Sequence, residues 1–530
     1  MKRIELTPKE MEDFLERVRS KKLHDTDYEI ILGMGETLAF LSQALTNKNI
    51  SIKRLRKILF GATTEKTDTV LGNKNKGSKE SFSRLKEESE KKKKGHGRNG
   101  AAVYKGAKKE IINHETLKHG DSCPGCLKGK VYEIKKPGTI VRITGNPPLT
   151  ATVYELQKLR CNLCGEVFTA TPPKDIGEEK YDAASGAMIG LLKYGSGLPF
   201  NRLDTMQNCL GIPLPSSTQW DIIKAVADKI KPIYNRLLVE GAQGDLFYND
   251  DTTMKILSLM KGTNESERTG IFTSGIISSL DERKIALFFT GRKHAGENMS
   301  DVMKKRNEEL SVPIQMCDAL SRNMPKDFMV ILANCIAHAR RKFVDVTDNF
   351  PEECMYVLNV FKEIYKHDAY CKKSNMTPEE RLIYHQKNSK SIMEDFKDWL
   401  QEQFDEKKVE PNSGLGDAIS YMQNHWEALT LFLREPGAPL DNNICERALK
   451  KAILHRKNAL FYKTETGAYV GDMFMSIIYT CNLNDVNPFD YLVQLQNHSE
   501  DVKKNPEKWL PWNYKKNLSD DAHISSADQK

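Results

Sequence analysis

A chain of 530 residues is too long for one hydrophobic core, so several domains are expected. With 39% hydrophobic and 29% charged residues, and no run of about 18 apolar residues, the composition excludes a membrane span and describes a soluble protein. The formal charge of +8 is uneven: 51–110 holds 18 Lys and Arg against 7 Asp and Glu, so the rest of the chain is slightly acidic. That basic segment suits a polyanion partner, or a solvated linker, and composition alone leaves both open. The first residues, MKRIELTPKEMEDFLERV, lack the apolar core of a signal peptide, and a cytoplasmic protein is expected. Of eleven cysteines, four form two close pairs, which fits a reducing compartment with one metal site better than a disulfide framework.

In chain order, Thr7-Pro8-Lys9-Glu10 reads as a helix start, with Thr7 as cap and Met11, Phe14, Leu15 and Val18 on one face. Ile31, Met34, Leu38, Leu41 and Leu45 follow at 3- and 4-residue spacing. This is either a short coiled-coil seam or an amphipathic helix on its own body, with Gly33 and Gly35 weakening it. A basic helix over 52–60 then leads into a Lys/Ser/Glu/Gly-rich stretch, 72–98, that cannot bury a core. Short β-type runs surround the cysteines over 110–172. Residues 201–209 and 216–230 read as two helices across a tight turn. A helix-turn-helix DNA reader has that form, but the absence of a dense basic face favours a plain hairpin. Strands are expected at 246–248, 255–259, 270–278, 284–290, 312–317 and 328–333, with helices at 300–310 and 336–346. A helical stretch over 351–434 precedes a last capped helix near Asp441 and Asn442.

Four constellations carry chemistry. Cys123, Cys126, Cys161 and Cys164, as two CxxC knuckles, suit a closed four-thiolate zinc site that is structural rather than catalytic. The bland alternative is four free thiols or a redox pair. Asp250 and Asp318 each follow an apolar strand, where a carboxylate is held rigidly at a sheet edge. Brought together they would repel, and a hard divalent cation relieves that repulsion. Glu446 falls about one turn into the last helix, with Arg447, Lys450, His455, Arg456 and Lys457 beside or after it. It can face a metal on one side and phosphates on the other, or simply form surface ion pairs. Finally, His338 in Cys335-Ile-Ala-His338-Ala-Arg-Arg-Lys342 is either a site-organising or DNA-contacting residue or a buried, satisfied histidine, with Arg341 a phosphate-binding candidate.

Together these pieces resemble the insertion-sequence-sixty-six transposases, the TnpC-type members of the DDE class. The resemblance rests on Leu59-Phe60-Gly61-Ala-Thr-Thr-Glu65-Lys66, the four cysteines, Asn249-Asp250-Asp251-Thr252, and Thr290-Gly-Arg-Lys-His-Ala-Gly-Glu-Asn298. It rests also on Met316-Cys-Asp318, Cys335-x-x-His338-x-Arg-Arg-Lys-Phe343, Pro439-Leu-Asp-Asn-Asn-x-x-Glu446-Arg-Ala-Leu-Lys, and Arg456-Lys-Asn-x-Leu-Phe461. It implies a mixed α/β, RNase-H-like core with a large helical insertion. A helical, coiled-coil segment and a small zinc-binding β module would precede that core. Asp250, Asp318 and Glu446 become the catalytic acids, holding Mg2+ (or Mn2+). They would serve metal-dependent hydrolysis of a phosphodiester at transposon ends, then strand transfer into target DNA, with no covalent protein–DNA intermediate. Asp251 stands where the family usually has Glu, and Asp250 takes the first role because it occupies the Asp position. The partners implied are DNA, further copies of the chain as a homo-oligomer, and small accessory proteins, in a nucleoid-associated setting.

The expected divisions are 1–70 (zipper and basic helix), 71–109 (linker), 110–175 (zinc module), 176–243 (helical connector or DNA-binding region), 244–345 (first part of the core), 346–435 (insertion), 436–500 (last part of the core) and 501–530 (tail). The alternative from another class is a domesticated, catalytically inactive relative acting as a zinc-dependent DNA-binding protein.

Overall fold

The computed structural model describes residues 8–519 except 21, 25–26, 33, 35–108, 110, 113, 125–129, 133–138, 144–145, 161, 163, 165–166, 174–178 and 261–267. Helix α1 (Pro8–Arg19) begins at the expected proline; Phe14 on its apolar face is buried, while Leu15 and Val18 are exposed. Ile31 and Met34, the described part of the leucine seam, are both exposed, and the rest of that seam and the basic segment lie outside the described residues. In the cysteine region a short antiparallel pair, β1 (Lys158–Arg160) and β2 (Val167–Thr169), is present.

From residue 179 the described chain is nearly continuous. Helix α2 (Ala183–Gly190) starts at Asp182, whose carboxylate accepts the Ser185 N–H at 2.7 Å. Helices α3 (Phe200–Cys209) and α4 (Ser216–Gly241) follow. Their tight turn passes through Gly211 at φ +73°, a left-handed conformation that glycine adopts at little cost. Pro215 has no side chain to cap α4, and Asp204 of α3 supplies the acceptor instead, taking the Ser216 N–H at 3.0 Å. Helix α4 runs eleven residues past its expected end and through Pro232, because buried Ile233, Tyr234 and Leu237 continue its apolar stripe.

The sheet has five strands: β3 (Leu246–Thr253), β4 (Phe272–Leu280), β5 (Arg283–Gly291), β6 (Ile314–Cys317) and β7 (Ile331–Asn334). Their order is β5-β4-β3-β6-β7; β3, β4 and β5 form an antiparallel meander, and β6 and β7 join β3 in parallel. Asp281 makes the β4–β5 turn at φ +51°. Residues 255–259, expected as a strand, are not one. Ile256 makes a single bridge to Tyr462, and Leu257–Met260 is one helical turn, since Leu257 N–H bonds to Tyr462 O at 2.9 Å rather than to a sheet. Helix α5 (Ala295–Met303) starts five residues before its expected position, capped by His294 and Glu297. Helix α6 (Ile336–Val344) follows β7. The stretch after Pro351 is helical as expected: α7 (Pro351–Lys373), α8 (Pro378–Asn388), α9 (Lys390–Asp405) and α10 (Gly414–Asn424). It encloses a core of its own around Phe361, Phe396 and Leu400, continuous with Met316 and Phe343.

Helix α11 (Asn443–Ala459) crosses the sheet, and α12 (Glu465–Leu483) closes its β5 edge. An open edge strand presents unpaired N–H groups. Here Lys284, Ala286, Phe288 and Thr290 donate theirs to side chains of Asn484, Thr480, Ser476 and Asp472, at 3.2, 3.0, 2.9 and 2.6 Å. The match is geometric: four helical residues rise about 6.0 Å and two strand residues about 6.8 Å. Helices α13 (Pro488–Asn497) and α14 (Ser499–Lys504) follow, with a short 3-10 turn at Pro506–Trp509 and a helical end over 514–519. The expected 501–530 tail is corrected for its first half: Val502, Trp509, Leu510 and Tyr514 are buried in the same core as α4 and the sheet, and Tyr491 donates its hydroxyl to Trp509 O at 2.6 Å.

Candidate active site

Side chains alternate across a strand, so Asp250 and Asp251 leave opposite faces of β3. On the Asp251 face, α5 packs: Asn298 donates to Ser274, the β4 partner of Asp251, at 2.9 Å. Asp251 meets His294 Nδ1 at 2.7 Å and the Arg322 guanidinium at 3.5 Å, and its own side chain is 2% exposed. On the Asp250 face, α11 packs. Asp250 pairs with Gly275, where a Cβ would come within 3.1 Å of Leu449 and 3.5 Å of Cys445.

The parallel register of β3 and β6 sets Tyr248 beside Met316, so two residues on, Asp250 is level with Asp318. Asn323 bridges them, donating Nδ2 to Asp318 Oδ1 and lying 3.5 Å from Asp250 Oδ1. Burial, and after it the charges of Asp318, Asp251 and Glu446, raise the Asp250 carboxyl to about 7 against the opposing Asp251 N–H bond. The three candidate acids therefore share one electrostatic neighbourhood.

Glu446 arrives from the first turn of α11. The start of that helix is pinned by Asn442, which donates Nδ2 to Asn249 O at 3.0 Å and its backbone N–H to Cys335 Sγ at 3.2 Å. His338, on α6, has Nδ1 at 3.7 Å from Glu446 Oε1. Donor atoms of Cys335, His338 and Glu446 all lie within 4.8 Å of one another, the sole such triplet of possible metal ligands among the described residues. Arg447, Lys450 and Lys457 are exposed along α11, and Arg341 is half-buried in the last turn of α6. Arg456 is turned inward, bonding Thr252 Oγ1 at 3.1 Å and Thr253 Oγ1 at 2.6 Å at the end of β3. Of the four cysteines, Cys123 is half-buried and Cys164 exposed; Cys126 and Cys161 lie outside the described residues.

Residues 180–470 match the family model described as Transposase IS66 family. The chain belongs to this family. The matched span holds Asp250, Asp318, His338 and Glu446 and begins after the last of the four cysteines. Two proteins of Sinorhizobium fredii (strain NBRC 101917 / NGR234) are similar to it. Uncharacterized protein y4hP is 26% identical over 391 residues, covering 68% of this chain and 67% of its own length. Uncharacterized protein y4jD is 25% identical over 382 residues, covering 67% and 71%. No described helix of this family member is long and apolar enough to cross a membrane.

Gln315 and Asn323, which help organise the site, lie outside every motif quoted above, and Asn249 and Gly296 lie inside motifs that do not reveal what they touch. Buried Gln315 donates to Asn249 Oδ1 and to Asn323 O, both at 2.7 Å, and Asn249 donates to Asn323 O at 2.7 Å. This network fixes the loop between Asp318 and Asn323 to the sheet. Gly296 lets the loop lie against α5: a Cβ there would sit 2.3 Å from Met324 O and 2.8 Å from Arg322 O, both backbone atoms. An isolated Asn or Gln in a strand gives no sign of its partner, and only the pairing Phe247–Gln315 makes this one visible.

Proposed function

We propose that the chain is a DNA transposase in which Asp250, Asp318 and Glu446 are the catalytic acids of an RNase-H-like core. The β3–β6 register, with α11 delivering Glu446 to the same face, is the observation that carries the reading. The strand order, an antiparallel meander extended by two parallel strands, supports the core assignment. The donor set fits divalent metal. Asp250 holds its proton up to about 7 among like charges, and Glu446 Oε1 is buried without a hydrogen-bond partner. Mg2+ or Mn2+ bound there would neutralise charge on the attacking and leaving oxygens of phosphoryl transfer. The chain's own residues orient the site: Asn323 holds Asp318, Asn442 anchors the Glu446 helix, and exposed Arg447, Lys450 and Lys457 meet the DNA backbone. Water attacks the scissile phosphorus and the DNA 3′-oxygen leaves as a 3′-hydroxyl; that hydroxyl then attacks a target phosphodiester and displaces the target strand's 3′-oxygen, joining the two strands. Asp250 and Asp318 each to Asn, assayed for metal-dependent nicking of end-containing DNA, test this. Nicking that persists in Asp318→Asn would overturn it, and end binding by the wild type without nicking in any divalent metal would favour the inactive, DNA-binding alternative.

The same proposal includes a structural zinc on Cys123, Cys126, Cys161 and Cys164. One equivalent of zinc per chain is expected, lost in Cys161→Ser together with the fold of the module. The basic stretch 53–98 supplies phosphate contacts, and any sequence reading falls to the cysteine module and the helices over 201–230. Deleting 72–98 should weaken binding to end and random DNA alike and flatten the salt dependence. Competition titrations at several salt concentrations check this. Loss of end preference with random-DNA affinity unchanged would make the segment a specific reader instead.

A further inference from the structure

We infer that His338 is a direct nitrogen ligand of the cation that Glu446 holds, so that the site is a mixed carboxylate–imidazole centre rather than one of oxygen ligands alone. The inference rests on the proposed function and assigns a residue which that reading leaves without a role. His338 Nδ1 and Glu446 Oε1 face each other at 3.7 Å. That separation is too long for a hydrogen bond. Both atoms are buried, and neither has any hydrogen-bond partner. Two such orphans, one a carboxylate oxygen, cost free energy in a folded protein unless something fills the gap between them. A cation reaches both, since ligand bonds of roughly 2.1 Å span the distance.

The neighbouring groups select His338 over Cys335 as the further ligand. Cys335 Sγ is fully buried and already accepts the Asn442 N–H at 3.2 Å, so the thiol holds the start of the Glu446 helix. Of the other histidines near the sheet, His294 is bonded to Asp251 at 2.7 Å on the opposite face, and His455, whose ring nitrogens also have no hydrogen-bond partner, sits nine residues along α11 from Glu446, stacked on Tyr462 at 4.6 Å and outside the Cys335–His338–Glu446 group. His338 sits on the first turn of α6, directly after β7, so its backbone is as fixed as that of the acids. An imidazole ligand shifts preference away from Mg2+, which favours oxygen, towards ions such as Zn2+.

The test uses Mn2+ and the full chain, and reads the metal rather than turnover. Mn2+ binding is titrated by the electron paramagnetic resonance of the free ion, and pulsed resonance then reports any nitrogen-14 coupled to bound Mn2+. Wild type should show the nitrogen coupling. His338→Gln should keep a carboxylate-bound Mn2+ without the coupling and at an affinity lower by on the order of tenfold or more, while Cys335→Ser keeps the coupling. Unfolding midpoints in metal-free buffer establish that the variants are folded. Mn2+ whose binding is lost in Asp250→Asn, but which shows no nitrogen coupling in the wild type, would overturn the inference and leave the proposed function standing. Absence of Mn2+ binding, or binding indifferent to both Asp250→Asn and Glu446→Gln, would overturn both.

Discussion

Asp250→Asn is expected to abolish nicking while making the metal-free protein more resistant to unfolding; Asp251→Asn is expected to do nearly the reverse. The two residues are adjacent, yet they face opposite sides of β3. Asp250 is a buried carboxyl raised to about 7 by burial and by Asp318, Asp251 and Glu446, so its charge opposes folding at neutral pH. An amide of the same shape removes that cost along with the proposed metal ligand. Activity should fall on the order of a thousandfold or more, as for other groups acting within one catalytic unit. Asp251, by contrast, joins His294 from α5 and Arg322 from the Asp318 loop. Replacing it by Asn weakens both contacts and should cost about 1–3 kcal/mol, with a smaller loss of activity from a displaced loop. Thermal unfolding in chelator, with nicking rates in Mg2+ and Mn2+, separates the cases. Full nicking by Asp250→Asn, and none by a stably folded Asp251→Asn, would transfer the first catalytic role to Asp251.

The second large effect is on pH. Asp472 is fully buried at the β5 edge, where burial raises its carboxyl to about 7 even though Thr290 donates both its N–H and its hydroxyl at 2.6 Å. Its folded pKa lies above the unfolded value of 3.8, so the folded state holds the proton more tightly. The stability from that proton is complete below about pH 4, is lost as pH rises towards 7, and changes little above. For Asp472 the loss is on the order of 4 kcal/mol, and Asp250 adds to it in the same window when metal is absent. Asp368 acts in the opposite sense. Its burial is outweighed by His385, Arg381 and Lys372, which hold it below the usual range, so its contribution is lost only under acid conditions. Denaturant unfolding of the metal-free chain between pH 4 and 8 should therefore show falling stability. Asp472→Asn should flatten that slope and keep the acceptor for Thr290. Asp472→Ala should flatten it too, but lose about 1–3 kcal/mol at every pH by leaving the Thr290 N–H unpaired. An unchanged slope in Asp472→Asn would show that the carboxyl is not the source.

What the chain order alone determined is local. The apolar run ending at Cys317 placed Asp318 just past a strand, whereas Asp250, expected just past one as well, lies inside β3, which continues to Thr253; Pro8, Pro351 and the Asp441–Asn442 pair marked helix starts within a residue or two; and the stretch after Pro351 read correctly as helical. The errors were local as well. Residues 255–259 carry a strand-like pattern, but their backbone bonds to Tyr462, just over 200 residues on, and α4 outran its apparent end because buried side chains beyond Pro232 hold it. Tertiary structure decided everything that depends on register. Which of two adjacent aspartates faces Asp318 follows from the pairing of β3 with β6 and from α11 lying over Gly275. The capping of β5 by Asp472, Ser476, Thr480 and Asn484 is a four-residue polar repeat in the chain, indistinguishable there from one face of a solvated helix. The partnership of His338 with Glu446, 108 residues apart, has no trace in local spacing. The physical reason is common to all three: propensity and periodicity act over a few residues, whereas a buried polar group is satisfied by whichever atom the fold brings to it.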